Sequence, residues 1–388
     1  MKINKRFSTR AIHIGNKPDS ETGSVSPPIH LTSTFQQINA GIHKGFDYSR
    51  ASNPTRKRLE ENLAALENGK FGIAFSSGIA SITALFQTFS SGDHLIVGRN
   101  VYGGTYRLLL KVMSRYGIEF DFVDLRNLGE VESAIKENTK LVFLETPTNP
   151  MLELCDIKEI SRICKSKNIL LAVDNTFMSP YGQSPLDLGA DVVMHSTTKF
   201  IGGHSDLLSG ALITNDKELA ENFYFIQKSG GAVPSPFDCW LLLRSTKTIA
   251  LRVQKHSDNA LELAKKLNQI PSIDEVIYPG LKSHKQYELA LRQQLNPNSE
   301  PIFGSIITLR CKTVEQRNSF ISSLKLFSLA ESLGGVESLV CIPYEMTHVS
   351  VPDKVKYSMG LTKEIVRLSI GIENVDDLQE DLLKALKC

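Results

Sequence analysis

Lys199 closes the stretch HSTTK just after the apolar run ADVVMHS (190–196), and Asp174 closes the preceding apolar run ILLAVD (169–174). Singly, neither signals chemistry. A lysine just past a strand is usually a solvated end, and an aspartate there serves as often to cap the next turn. A buried carboxylate, however, is costly unless a partner needs it. An amine held in a low-dielectric site sheds its proton and can attack an aldehyde. Ser196 and Thr198 bracket the lysine with hydroxyls. The set supplies the parts of Schiff-base catalysis: an amine, an acid to keep a pyridine nitrogen protonated and electron-withdrawing, and donors to anchor a phosphate.

Ser76-Ser77-Gly78-Ile79 adds to the phosphate donors, because it forms a small-residue turn between the run FGIAF and a helix. Backbone amides at a helix start are natural phosphate ligands, and glycine permits close approach. The turn carries neither the GxGxxG of dinucleotide folds nor the GK[ST] of a P-loop. Tyr102 in VYGGT follows the run HLIVG and can stack on a planar ring. The flanking Gly103 and Gly104 suggest that something large approaches the backbone there.

These residues need a scaffold that brings strand ends together. HLIVG (94–98), FDFVDL (120–125), LVFLE (141–145), ILLAVD and ADVVMHS are short apolar runs alternating with helical stretches such as TYRLLLKVMSRYG and DIKEISRICKSK. In the second, Asp156 and Glu159 have a capping-box offset, and Ile157, Ile160 and Ile163 share a face. This alternation predicts a parallel sheet covered on both sides, with ligands at the strands' carboxyl ends, where Glu145, Asp174 and Ser196 fall. Asn53-Pro54 opens a helix carrying Leu59, Leu63 and Leu66, ended by Gly69. Residues 1–50 read as an arm whose Phe35, Phe46 and Tyr48 must pack on something. Residues 51–245 read as the large domain. From 246 to 388 a long polar helical stretch, YPGLKSH, GSIITLR, a helix near 314–325, ESLVCIP, VRLSIGI and a helix from Asp376 read as a smaller α+β domain.

The 388 residues suit two domains better than one. The 44 Lys plus Arg nearly balance the 42 Asp plus Glu, so no basic excess points to nucleic acid. The six cysteines, Cys155, Cys164, Cys239, Cys311, Cys341 and Cys388, show no CxxC spacing and fit reduced thiols in the cytoplasm. The terminus MKINKRFSTR lacks the apolar stretch of a secretory signal. The charge-free run Phe71–Gly92 is too interrupted by polar residues to span a membrane.

FDYSRASNPT, SSGIAS, VYGGT, ETPTNP, VDNTFMSP, HSTTK, AESLGGVESL and VRLSIGIE occur in this order. From about Ile12 to the C-terminal helix the chain thereby resembles the Cys/Met-metabolism family of pyridoxal-phosphate enzymes. That family includes cystathionine γ-synthases, cystathionine γ- and β-lyases, methionine γ-lyases and homoserine sulfhydrylases. The resemblance implies the aspartate-aminotransferase-like fold, an α/β large domain with a smaller α+β one, and pyridoxal 5'-phosphate as cofactor. It implies Lys199 as Schiff-base lysine and proton shuttle, Asp174 on the pyridinium nitrogen, and Tyr102 on the ring. Gly78, Ile79, Ser196 and Thr198 would hold the phosphate. Tyr48 and Arg50 would reach the neighbouring subunit's cofactor, within a homotetramer of dimers that share active sites. Arg367, Asn149 and Ser332 would bind the substrate's α-carboxylate, an anion that suits an arginine fork.

Within the resemblance, Gly104 stands where methionine γ-lyases carry cysteine. Glu331 matches the γ-synthase and γ-lyase pattern, in which an acid meets the distal ammonium of cystathionine. GAVPSPFD (231–238) and ETPTNP look more like the lyases. The expectation is therefore γ-elimination on cystathionine, giving cysteine, ammonia and 2-oxobutanoate, with γ-synthase or β-lyase activity as alternatives. Tyr102 is a candidate to protonate the departing sulfur. A non-catalytic scaffold of the same fold is the rival of a different class, disfavoured because Lys199, Asp174, Tyr102 and Arg367 occur together. A nicotinamide oxidoreductase is disfavoured by the missing glycine fingerprint. The chain departs from the family at Phe200, where tyrosine is common, and at Tyr344-Glu345, which replace smaller residues near the substrate loop.

Overall fold

Phe7 and Ala11, one helical turn apart, are both buried in helix α1 (Phe7–His13), which packs on α2 (Pro54–Leu66). The first part of the expected arm is thus a docked helix, and the extended character begins beyond it. The computed structural model describes residues 6–387, so the first five residues of MKINKRFSTR and Cys388 lie outside the described residues. Asn53 starts α2 as its position suggests: its side chain accepts the amides of Thr55 and Arg56, and Pro54 takes a first-turn place that needs no amide. Leu59, Leu63 and Leu66 form the buried stripe of α2.

The apolar runs become strands. β1 (Phe71–Phe75), β2 (His94–Gly98), β3 (Glu119–Val123), β4 (Thr139–Glu145), β5 (Leu170–Asp174), β6 (Val192–His195) and β7 (Gly210–Thr214) form one sheet in the order β1-β7-β6-β5-β4-β2-β3. Five neighbouring strands are mutually parallel, and β7 is the only one that runs against the rest. Both faces are covered, as the unbroken apolar runs require. One face packs Phe75, Phe143 and Met194 under α3 (Gly78–Phe86) and α4 (Gly103–Lys111). The other packs Val193 and Ile213 against Leu63 and Leu66 of α2, and Val142 and Leu144 against Ile157 and Ile160. Ile163, expected beside those isoleucines, is only partly buried at the edge of this cluster. The stretch TYRLLLKVMSRYG, which reads as one helix, is broken: α4 ends at Lys111 and a separate tight turn of helix covers Met113–Tyr116.

The second sheet holds β8 (Ile273–Ile277), β9 (Ile306–Cys311), β10 (Ser328–Leu329), β11 (Leu339–Cys341) and β12 (Ile365–Ser369), in the order β10-β11-β12-β9-β8. Helices Ile249–Leu267, Val314–Ser323 and Val375–Ala385 cover it through Leu263, Phe320, Leu378 and Leu382. Among the described residues, no helix is long and apolar enough to cross a membrane. Cys155, Cys164, Cys239, Cys311 and Cys341 are buried free thiols.

Candidate active site

The carboxyl ends of β4 and β5 set the floor of the site. Glu145 and Asp174 are register partners across that parallel pair, and both side chains are buried. The chain after β1 turns through Ser76 and Ser77 into α3, where the Ser77 side chain caps the amide of Ala80. The following amides of Gly78 and Ile79 lie in the first turn, which has no carbonyls of its own to bond. A Cβ at Gly78 would stand 2.7 Å from that of Ser196, so only glycine lets the α3 terminus and the turn after β6 close on each other.

That second turn is fixed from the sheet. The Ser196 amide donates to Thr176 Oγ1 at 2.9 Å. Thr198 Oγ1 donates to the Ser209 carbonyl at 3.1 Å and accepts the Ser209 amide at 3.0 Å. Ser209 Oγ in turn donates to the Phe75 carbonyl at 2.8 Å, which joins the two turns. A cavity of about 360 Å³ opens beside them, lined by Gly78, Ile79, Tyr102, Asp174, Lys199 and Arg367 among others.

Lys199 Nζ donates to Ser332 Oγ at 2.8 Å, and the Ser332 carbonyl accepts Arg367 Nη2 at 2.6 Å. Arg367 Nη1 donates to Asn149 Oδ1 at 3.0 Å, while Arg367 Nε is buried with no partner. The loop carrying Glu331 and Ser332 is pinned by Gly334, whose backbone has φ +76° and whose Cβ would meet the Phe200 amide at 2.8 Å. Phe200 is itself buried, with an edge toward His256. The turn after Lys199 and the wall bearing Ser332 are thus one packed unit.

Burial, then the charge of Arg367, brings the Lys199 amine down to about 8; Glu331 opposes this. Burial also raises both carboxyls of the floor. Asp174 is partly relieved by hydrogen bonds from Thr176 and by His195. Glu145 is driven further, well above the usual carboxylate range, because Asp174 adds its own charge. The site therefore combines an amine that gives up its proton near pH 8 with a cationic fork and a crowded acid pair.

The cavity collects most of the residues that the sequence singles out. Gly78, Ile79, Tyr102, Asn149, Asp174, Ser196, Thr198, Lys199, Glu331, Ser332 and Arg367 all line it. Tyr48 and Arg50 do not. Tyr48 is exposed, and Arg50 Nη1 donates to the Lys228 carbonyl at 2.7 Å outside the cavity. Tyr344 and Glu345 also fall outside it: Tyr344 packs under the Lys356 ammonium at 4.2 Å, and Glu345 pairs with Arg317 at 2.9 Å. Thr347 lines the cavity instead, a place in that loop that no spacing in the sequence indicates. At Gly104 a Cβ would sit 2.3 Å from the Tyr102 ring, so any side chain there requires the tyrosine to move.

Known proteins resemble this chain along nearly its whole length. The family model described as "Cys/Met metabolism PLP-dependent enzyme" matches residues 8–387. A cystathionine gamma-lyase of Dictyostelium discoideum is 46% identical over 99% of both chains. A cystathionine beta-lyase of Lactococcus lactis subsp. cremoris is 47% identical over 98% of this chain and 99% of its own. A cystathionine gamma-synthase of Mycobacterium leprae is 47% identical over 98% of this chain and 96% of its own. The crystal structure of cystathionine gamma-lyase from Lactobacillus plantarum complexed with L-serine superposes with a TM-score of 0.95 at 41% identity, covering 99% of each chain. With its fold and nearly its whole sequence matched, the chain belongs to the Cys/Met-metabolism family of pyridoxal-phosphate-dependent enzymes.

Proposed function

We propose that this enzyme cleaves cystathionine by γ-elimination, giving cysteine, ammonia and 2-oxobutanoate. The observation that carries this reading is Glu331 on the cavity wall beside Ser332, in a cavity that also holds the Arg367 fork. A substrate with an α-carboxylate for Arg367 and a second ammonium for Glu331 gains two charge-assisted contacts in one pose.

The cavity residues suit pyridoxal phosphate. Asp174 is a buried acid that accepts the Thr176 amide at 3.0 Å, and a protonated ring nitrogen is the kind of partner such a carboxylate favours. Gly78, Ile79, Ser196 and Thr198, which line the same cavity, would supply the donors of an anion cradle, and the exposed Tyr102 ring lies on the cavity wall where it could stack on the cofactor. When bound there, the cofactor supplies an electron sink for charge developing at the substrate's α-carbon. The residues do the rest. Arg367, through its free Nε and with Asn149 behind it, orients the carboxylate. Lys199 Nζ, neutral above about pH 8 and steered by Ser332, takes the proton from the α-carbon. A second proton passes from the β-carbon to Lys199 Nζ after that amine has been relieved of the first. Tyr102 Oη delivers its own to the sulfur as the γ-thiolate departs, and water then releases ammonia and 2-oxobutanoate. γ-Replacement on an activated homoserine, with cysteine as the incoming thiol, asks for the same groups and is the second reading, since relatives bearing both names match equally well.

We also infer a homotetramer built from dimers that share active sites, acting on small sulfur amino acids in the cytoplasm. Leu31, Ile38, Ile42 and Tyr48 are exposed together on the segment before α2, an apolar surface that a partner subunit would cover. Tyr48 and Arg50 would then complete the partner's phosphate cradle.

Product identification tests the reaction. Cystathionine should yield 2-oxobutanoate with cysteine; pyruvate with homocysteine would move the reading to β-elimination. Condensation of O-succinylhomoserine with cysteine, without cleavage, would move it to γ-replacement. Glu331→Ala should raise KM for cystathionine about 10- to 100-fold, the worth of a charge-assisted hydrogen bond, with cofactor content unchanged. Equal loss of both would remove its assigned role.

A further inference from the structure

Two acids end adjacent strands at the cavity floor, and the chemistry above uses only one of them. Asp174 closes β5 and Glu145 closes β4, paired in register. Both are nine-tenths or more buried, and both line the cavity. Glu145 is not idle. Its Oε2 accepts the Tyr102 amide at 2.9 Å, and the Asn149 amide also donates to it. The two residues held this way serve different walls. Tyr102 starts α4 and puts its ring on the cavity, and Asn149 holds Arg367 Nη1 at 3.0 Å.

We propose that Glu145 is a positioning residue of the site, which fixes the backbones of Tyr102 and Asn149 on either side of Asp174. It acts as an uncharged acid. Two carboxylates side by side at buried strand ends cannot both ionise cheaply. The charged groups facing Glu145 are Asp174 from β5 and Arg367 from β12, with Lys199 across the cavity. Burial and the Asp174 charge push the Glu145 carboxyl well above the usual carboxylate range, against the amides of Tyr102 and Asn149 and the charge of Arg367, and so favour its protonated form. A neutral carboxyl still offers acceptor oxygen to these amides, and the negative charge of the pair is left to Asp174. A glutamate rather than an aliphatic residue ends β4 because two amides would otherwise be buried without acceptors.

The proposal rests on the reading of this cavity as the reaction site, and the test separates the two. In Glu145→Gln the neutral acceptor is retained. The Tyr102 amide of the apoenzyme should keep its hydrogen-exchange protection, and holoenzyme kcat/KM should stay within about threefold. In Glu145→Ala the acceptor is lost; Tyr102 should exchange at least about tenfold faster and kcat/KM should fall about 10- to 100-fold. Gln as damaging as Ala in both readouts would overturn the proposal, because the charge would then be what matters. Unchanged Tyr102 exchange in the Ala variant would overturn it as well. Should the Ala variant not fold, the infrared difference spectrum of wild type against Glu145→Gln decides: a protonated-acid carbonyl stretch in the wild type supports the assignment, and its absence refutes it. Lys199→Ala runs alongside. Retained turnover in that variant would remove the cavity from the chemistry, whatever Glu145 does.

Discussion

Lys199 sits where an ammonium is poorly solvated. Burial is the main reason its proton is held weakly, Arg367 adds like-charge repulsion, and Ser332 Oγ at 2.8 Å gives the amine one fixed acceptor. Ser332 holds that acceptor with φ +93°, a backbone region that L-residues seldom occupy and that surrounding structure must enforce. Only the neutral amine can attack an aldehyde. Because a lowered lysine pKa puts the neutral form above about 8 rather than above 10.5, cofactor capture by the apoenzyme should accelerate up to about pH 8 and then level off. The rate constant for recovery of the visible band after mixing with pyridoxal phosphate, followed across pH, checks this. A rate still climbing beyond pH 10 would mean that the amine behaves as an ordinary solvated lysine.

Behind the floor, on the sheet face opposite Asp174, a polar chain links α2 to the strand ends. Glu67 Oε1 accepts His195 Nε2 at 2.5 Å and Asn175 Nδ2 at 2.8 Å, with both Glu67 and His195 fully buried. Asn175 Nδ2 also donates to the Gln183 carbonyl at 2.9 Å, and its Oδ1 accepts Gln183 Nε2 at 3.0 Å. Asn175→Ala would strip a donor from a buried carboxylate whose other oxygen already has no partner. That should cost about 1–3 kcal/mol. The thermal midpoint should fall by ~2–4 °C for each kcal/mol, as scanning calorimetry of the apoenzyme would register; an unchanged midpoint would mean that the chain contributes nothing. The sequence announces these strands and conceals this chain, for a physical reason. A parallel strand buried on both faces must be apolar throughout, so β2, β4, β5 and β6 read directly as runs. β8, with Asp274 and Glu275 exposed, and α1, only seven residues long, carry too little periodicity to be recognised. Lys199, Asp174 and Arg367 were legible because their motifs are local. The pairing of Glu145 with Asp174, and of Glu67 with His195, depends on register and on packing across more than 25 residues, which no local pattern encodes.

At the scale of the whole molecule, the segment between α1 and α2 has a shape without a core of its own. Phe35 and Phe46 face each other at 5.6 Å, yet Leu31, Ile38 and Ile42 project outward, and none of these belongs to a buried cluster of this chain. Arg50, held by the Lys228 carbonyl, lies outside its own subunit's cavity. If Arg50 serves the neighbour's phosphate cradle, the active site is divided between two chains, and two defective subunits can repair each other. Lys199→Ala removes the amine from its own site, whereas Arg50→Ala removes a cradle donor from the partner's. In a hybrid dimer of the two, one site carries both lesions and the other carries neither. Mixing the two variants under conditions that exchange subunits should therefore restore roughly a quarter of wild-type activity, since half of randomly paired dimers are hybrids and half of their sites are whole. If Arg50 instead acted within its own chain, every hybrid site would still carry one lesion, and the mixture would show no more than the average of its two parents.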